Sequence, residues 1–157
     1  MPVVALLVLT LFAQAPLPNF SGKWNMVAAR SGSPLQTPPV SAMTFAIEQQ
    51  ADQISIESTT GNAKTITVIY PIVPAPKQPA DPLGAGLARA YWDGKRLVIE
   101  QGGTISGQTV SMKQSLTMDP ASGELIVERL VIVQHGYTLK GAQNYSTVKD
   151  VFARSAQ

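Results

Sequence analysis

Two polar residues interrupt runs in which every second residue is otherwise apolar. Gln114 falls within Val110, Met112, Gln114, Leu116, Met118, and Arg129 falls within Leu125, Val127, Arg129, Val131, Val133. Turn register brings the two together. A tight turn at Ser106-Gly107 sets Ile99 opposite Gln114, and a symmetrical turn through 119–123 (DPASG) sets Gln114 opposite Arg129 or at most one diagonal away. A guanidinium on an apolar face needs a partner, because an unpaired buried charge is costly. Two outcomes stay open. Arg129 holds a ligand's carboxylate or phosphate, or it plugs the interior against the Gln114 amide and water or reaches a rim. Met112, Phe45, Tyr70 and Trp92 on inward faces or near strand ends complete the candidate ligand-binding set.

Other chemistries find little support. There is no cysteine, which excludes disulfides, thiolate metal sites and a cysteine nucleophile. His135, the only histidine, sits in a turn-like QHGY segment with no second nitrogen at metal-ligand spacing. The expectation is therefore no catalytic residue, metal or cofactor. Gly84-Ala85-Gly86 and Gly102-Gly103 are not followed by helices and do not form a phosphate cradle. Glu48, Glu57, Glu100 and Glu128 are expected on solvated sheet faces, where nothing selects a catalytic pair. A net charge of +2 with dispersed basic residues argues against nucleic acid.

The elements that must position Gln114 and Arg129 are strands. From Trp24 onward, period-two alternation recurs and no helical period is sustained. The expected strands are Trp24–Ala29, Ala42–Gln49, Gln53–Ser58, Lys64–Tyr70, Leu87–Trp92, Arg96–Gln101, Gln108–Met118, Glu124–Val133 and Tyr145–Arg154. Asp93-Gly94 is a strong hairpin signal. Arg30–Pro39 (RSGSPLQTPP) cannot continue a ladder, and Pro71–Gly86 is a proline-rich excursion or connector. Strand, turn, strand without crossover helices implies an all-β, antiparallel meander. A single half-apolar sheet buries its face by closing into a barrel of eight to ten strands, with a two-sheet β-sandwich as the alternative.

Several segments in order resemble a known group. NFSGKWNM (19–26) resembles the G-x-W opening of lipocalin and fatty-acid-binding barrels. YWDGKRLVIEQ, SLTMDPASGELIVER and VKDVFAR are similar to the repeating pattern of small exported bacterial lipocalin-like (calycin-type) proteins of unassigned activity. The resemblance runs from about Asn19 to Arg154. It implies a structural cap at the closed barrel end, in which Trp24, after Gly22, packs against Arg154 or, alternatively, Arg129. Two departures accompany it. Arg30–Pro39 is too short and proline-rich for the helical lid of fatty-acid-binding barrels. Asp150 and Phe152 stand where those barrels carry an Arg-x-Tyr pair, so that mode of carboxylate binding is not expected.

Met1–Ala15 reads as a signal peptide: Val3–Phe12 is apolar but short for a permanent span, and Ala13-Gln14-Ala15 suits a signal peptidase. Its charged n-region is missing. The remaining 16–157 is expected to be one lipocalin-like barrel domain, periplasmic or secreted, with no stable membrane span. The functional expectation is a barrel binding a small apolar or amphipathic ligand in its interior, not an enzyme. The alternative is a structural or interaction module of the cell envelope, with a filled core and function on its loops.

Overall fold

The computed structural model describes residues 16–77, 84–105, 107–134 and 145–156. Nine strands follow the nine alternating segments: β1 (Gly22–Met26), β2 (Met43–Gln49), β3 (Gln53–Thr60), β4 (Ile66–Pro71), β5 (Ala88–Asp93), β6 (Arg96–Ile105), β7 (Gln108–Met118), β8 (Leu125–Gln134) and β9 (Tyr145–Arg154). All join one sheet in the order β4-β3-β2-β1-β9-β8-β7-β6-β5, every ladder antiparallel. The two end strands run side by side through one parallel bridge, Ile72 to Ala90, with the Val73 amide donating to the Ala90 carbonyl at 2.8 Å. The sheet is thus an all-β barrel, nearly closed, with its seam between β4 and β5. A sandwich would need two sheets; among the described residues there is one.

Alternation decides which face is buried. Phe45 and Ile47 of β2, Ile54 and Ile56 of β3, Leu97 and Ile99 of β6, Leu116 of β7, and Leu125 and Val127 of β8 turn inward and form one core with Phe20, Trp24 and Phe152. This core fills the end where the chain enters β1 and where the β2–β3, β5–β6 and β7–β8 turns lie. Phe45 stacks on Phe152 with centroids 4.6 Å apart, and Phe20 stacks on Trp92 at 6.0 Å. Such pairs add to the area they bury. The opposite end receives the segment between β1 and β2, the β3–β4 turn and the approach to β5.

Residues 27–42 form no lid of regular helices. They make two short 3-10 turns, Ala28–Arg30 and Ser33–Leu35. Their anchorage is along β9: the Val27 amide donates to the Val151 carbonyl at 2.7 Å and the Gly32 amide to the Lys149 carbonyl at 2.8 Å.

Glu100 corrects an expectation. It points out of the barrel but is only 8% exposed. Arg89 and Tyr91 from β5 close over it, with Arg89 Nε donating at 2.8 Å and the Tyr91 hydroxyl at 3.1 Å, while Lys113 approaches to 3.7 Å. An outward position is not a wet one when long side chains from both neighbouring strands fold across it. Tyr91 accordingly belongs to this outer cluster. The expected signal segment, Ser106, residues 78–83 of the proline-rich stretch, and the connection holding His135 and Tyr137 lie outside the described residues.

Candidate functional site

Above the aromatic floor of Phe45, the barrel holds a cavity of about 410 Å³ that is open to solvent. Its walls come from facing arcs of the sheet. β2, β3 and β4 supply Met43, Phe45, Ile56, Ser58, Thr60, Ile66, Val68 and Tyr70, and β6, β7 and β8 supply Gln101, Met112, Gln114 and Arg129. The volume lies within the range of small-molecule sites, and the lining is mostly apolar with a few polar groups. Ile66, at the start of β4, is 60% exposed and stands at the rim.

The register places Ile99 opposite Gln114 and Gln114 opposite Arg129, as the two turns require. Their polar ends meet soft partners. The Arg129 guanidinium approaches Met43 Sδ at 3.9 Å, and the Gln114 amide nitrogen donates to Met112 Sδ at 3.5 Å. Thioether sulfur is a weak acceptor. Among the described residues no carboxylate reaches ion-pair distance of Arg129. Burial pulls the Arg129 pKa below its ordinary value, and the charge of Asp150 acts in the opposite direction. The positive charge is therefore half-buried, electrostatically unsettled and aimed into an apolar chamber.

Tyr70 lines the chamber beside the seam. Its hydroxyl donates to Gln101 Oε1 at 3.0 Å, tying β4 to β6 across β5, and burial pushes its pKa up. Phe45 is shared between cavity floor and core.

Trp92 is placed elsewhere, and this corrects its grouping with the ligand set. It is the last inward residue before the β5–β6 turn, so it sits at the filled end against Phe20 and does not line the cavity. Alternation set its face correctly, but not its height along the barrel.

At the same end, Arg154 lies over the Trp24 ring with its guanidinium carbon 4.3 Å from the centroid, and its Nη1 donates to the Ser21 carbonyl at 2.7 Å. Trp24 Nε1 donates to the Phe20 carbonyl at 2.9 Å. Gly22 has φ of +133°, and a Cβ there would stand 2.5 Å from Arg154 Nη1. The backbone conformation there favours glycine, and a side chain would displace the Arg154 guanidinium.

One buried charged residue went unread as part of the site. Asp150 is fully buried, on the inward face of β9 between Val148 and Phe152. The Ser33 amide donates to its Oδ1 at 2.9 Å and the Ser33 hydroxyl to its Oδ2 at 2.5 Å. The alternation Val148, Asp150, Phe152 was the available signal; nothing in the sequence pointed to Ser33. A larger hollow, about 540 Å³, lies on the outer face of β7, β8 and β9; Lys113, Ser115, Glu128 and Lys149 border it, and Arg129 and Val148 also touch it. Most of its lining alternates with the inward residues, so this hollow lies on the outside of the barrel wall.

A barrel of this strand order around an internal chamber is a lipocalin-like fold, and solved structures bear this out at the level of fold. The wild-type fluorescent protein UnaG superposes with a TM-score of 0.51 at 15% identity, covering 87% of this chain and 97% of its own. The apo form of Caenorhabditis elegans lipid binding protein 8 gives a TM-score of 0.52 at 9% identity, covering 87% of this chain and 95% of its own. No protein-family model matches the sequence, and no curated protein matches it.

Proposed function

We propose that this protein is an exported binding protein that takes a small amphipathic molecule into its barrel, with an anionic group on Arg129 and an apolar body against Met43, Phe45, Ile56, Val68 and Met112. The observation that carries this reading is Arg129 itself. It is a half-buried guanidinium whose nearest partner is a methionine sulfur, beside a glutamine in the same condition. A ligand carboxylate, sulfate or phosphate would accept from both and settle the charge. The apolar lining supplies the non-directional part of the affinity.

The role is binding rather than catalysis: the cavity wall described here carries hydroxyls, amides, thioethers and one arginine, but no carboxylate or imidazole beside a nucleophile. That a barrel of the same fold is named a lipid binding protein accords with this reading. Export rests on the apolar Val3–Phe12 and the Ala13-Gln14-Ala15 site. N-terminal sequencing of the mature protein tests it: a chain beginning at Pro16 is expected, and an intact Met1 would overturn it.

Binding is tested with two dyes of similar apolar bulk, anionic anilinonaphthalene sulfonate and neutral N-phenylnaphthylamine. The wild type is expected to bind both and to prefer the anion, while Arg129→Met loses the preference and keeps the neutral dye. Equal binding of the anion by both proteins would remove Arg129 from the site.

A further inference from the structure

The segment between β1 and β2 is anchored at three points: Val40 packs against the core, the buried Ser31 hydroxyl bonds the Val151 backbone, and Ser33 meets the one buried carboxylate of β9. Ser33 is buried and holds both oxygens of Asp150. Gly32 beside it seats against β9 so closely that a Cβ would stand 3.0 Å from Val148 Cγ2 and 3.3 Å from the Lys149 carbonyl. Asp150 in turn has a second potential partner. The β8–β9 register pairs Val127 with Asp150 and Arg129 with Val148. Arg129 and Asp150 are therefore diagonal neighbours on the inward face of adjacent strands, a separation that an arginine side chain spans. The charge of Asp150 already acts on the guanidinium.

We propose that residues 27–35 are a strap that gates the anion site: while Ser33 holds Asp150, Arg129 is left free for ligand, and when the strap lifts, Asp150 turns to Arg129 and occupies its place. Two arrangements then compete for one carboxylate. In the closed one, Asp150 accepts from the Ser33 amide and hydroxyl. In the open one, those donors leave, and a buried carboxylate without partners is driven onto the nearest cation. An anionic ligand and the closed strap favour the same state of Asp150. By reciprocity, the ligand tightens the strap to the degree that the strap tightens the ligand. A neutral ligand leaves the competition untouched, so the device selects for charge.

The inference rests on the reading that Arg129 takes the ligand's anion, and the test separates the two. Ser33→Ala is expected to bind anilinonaphthalene sulfonate about tenfold more weakly than wild type and N-phenylnaphthylamine equally well. Adding Asp150→Asn to Ser33→Ala is expected to restore the anion, because the competing charge is gone. In ligand-free Ser33→Ala, the Arg129 Nε–H resonance is expected to move downfield, a readout that does not need the double variant to fold. Unchanged anion binding with an unmoved Arg129 resonance in Ser33→Ala would overturn the strap, as would loss of both dyes in parallel. If that happens while Arg129→Met still loses the anion, the ligand site stands and only the gate fails. If Arg129→Met changes nothing, both readings fall.

Discussion

Arg129 is costly to the fold in the place where it is useful to a ligand. A guanidinium removed from water and given a thioether for company is stabilised by little, so an apolar side chain of similar reach fits the cavity better. Arg129→Met is expected to hold or raise stability, by up to about 2 kcal/mol in urea unfolding. The same change removes charge-assisted hydrogen bonds to an anion, roughly 1.5–3 kcal/mol of affinity. A purely structural arginine would behave in the opposite way, losing stability and leaving binding alone. Gly22 offers a contrast: Gly22→Ala forces a side chain into a left-handed conformation and onto Arg154, and is expected to destabilise by more than about 1 kcal/mol. The pairing of Gln114 with Arg129 was legible in the sequence because alternation fixes the face and two tight turns fix the register. The pairing of Asp150 with Ser33 was not, because Ser33 lies in a segment without period, and its position depends on where that segment crosses β9.

Among the elements, the β4–β5 seam and the β7–β8 turn are held by side chains as much as by backbone. Tyr70 ties the seam to Gln101, so Tyr70→Phe is expected to cost about 0.5–1.5 kcal/mol and to speed hydrogen exchange at Val73. At the turn, Arg30 pairs with Glu124, and its hydrogen bond holds the Glu124 carboxyl below its ordinary value; the Ser122 hydroxyl does the same for Asp119. Both carboxyls are more acidic folded than unfolded, so the stability they contribute is present above the ordinary carboxylate range and is lost as pH falls from that range through their lowered folded values. Wild type is expected to lose more of its urea midpoint between about pH 6 and about pH 3 than Glu124→Gln does. The nine strands were readable to within two or three residues at most ends, since alternation is local. Burial of Glu100 was not, because it depends on Arg89 and Tyr91 reaching across from the next strand.

As a whole, the molecule is a barrel with one filled end and one hollow end. Trp24, Phe20, Trp92 and Phe152 fill the first, and the second narrows above Phe45 to a chamber whose polar wall is Gln101, Gln114 and Arg129. The fold was predictable from its meander, and the chamber's height was not, since alternation says which residues face inward but not where along the barrel side chains stop filling the space. The central claim is that an anionic amphiphile binds within this chamber and on Arg129. Its most direct test is methyl NMR with labelled methionine during titration with anilinonaphthalene sulfonate. Met43 and Met112 line the chamber, whereas Met118 packs against the core of the filled end, so the methyls report position. Saturable shifts of Met43 and Met112, with Met118 still and all response much weakened in Arg129→Met, are the predicted result. Binding of the dye that leaves Met43 and Met112 unmoved, or that persists undiminished in Arg129→Met, would contradict it.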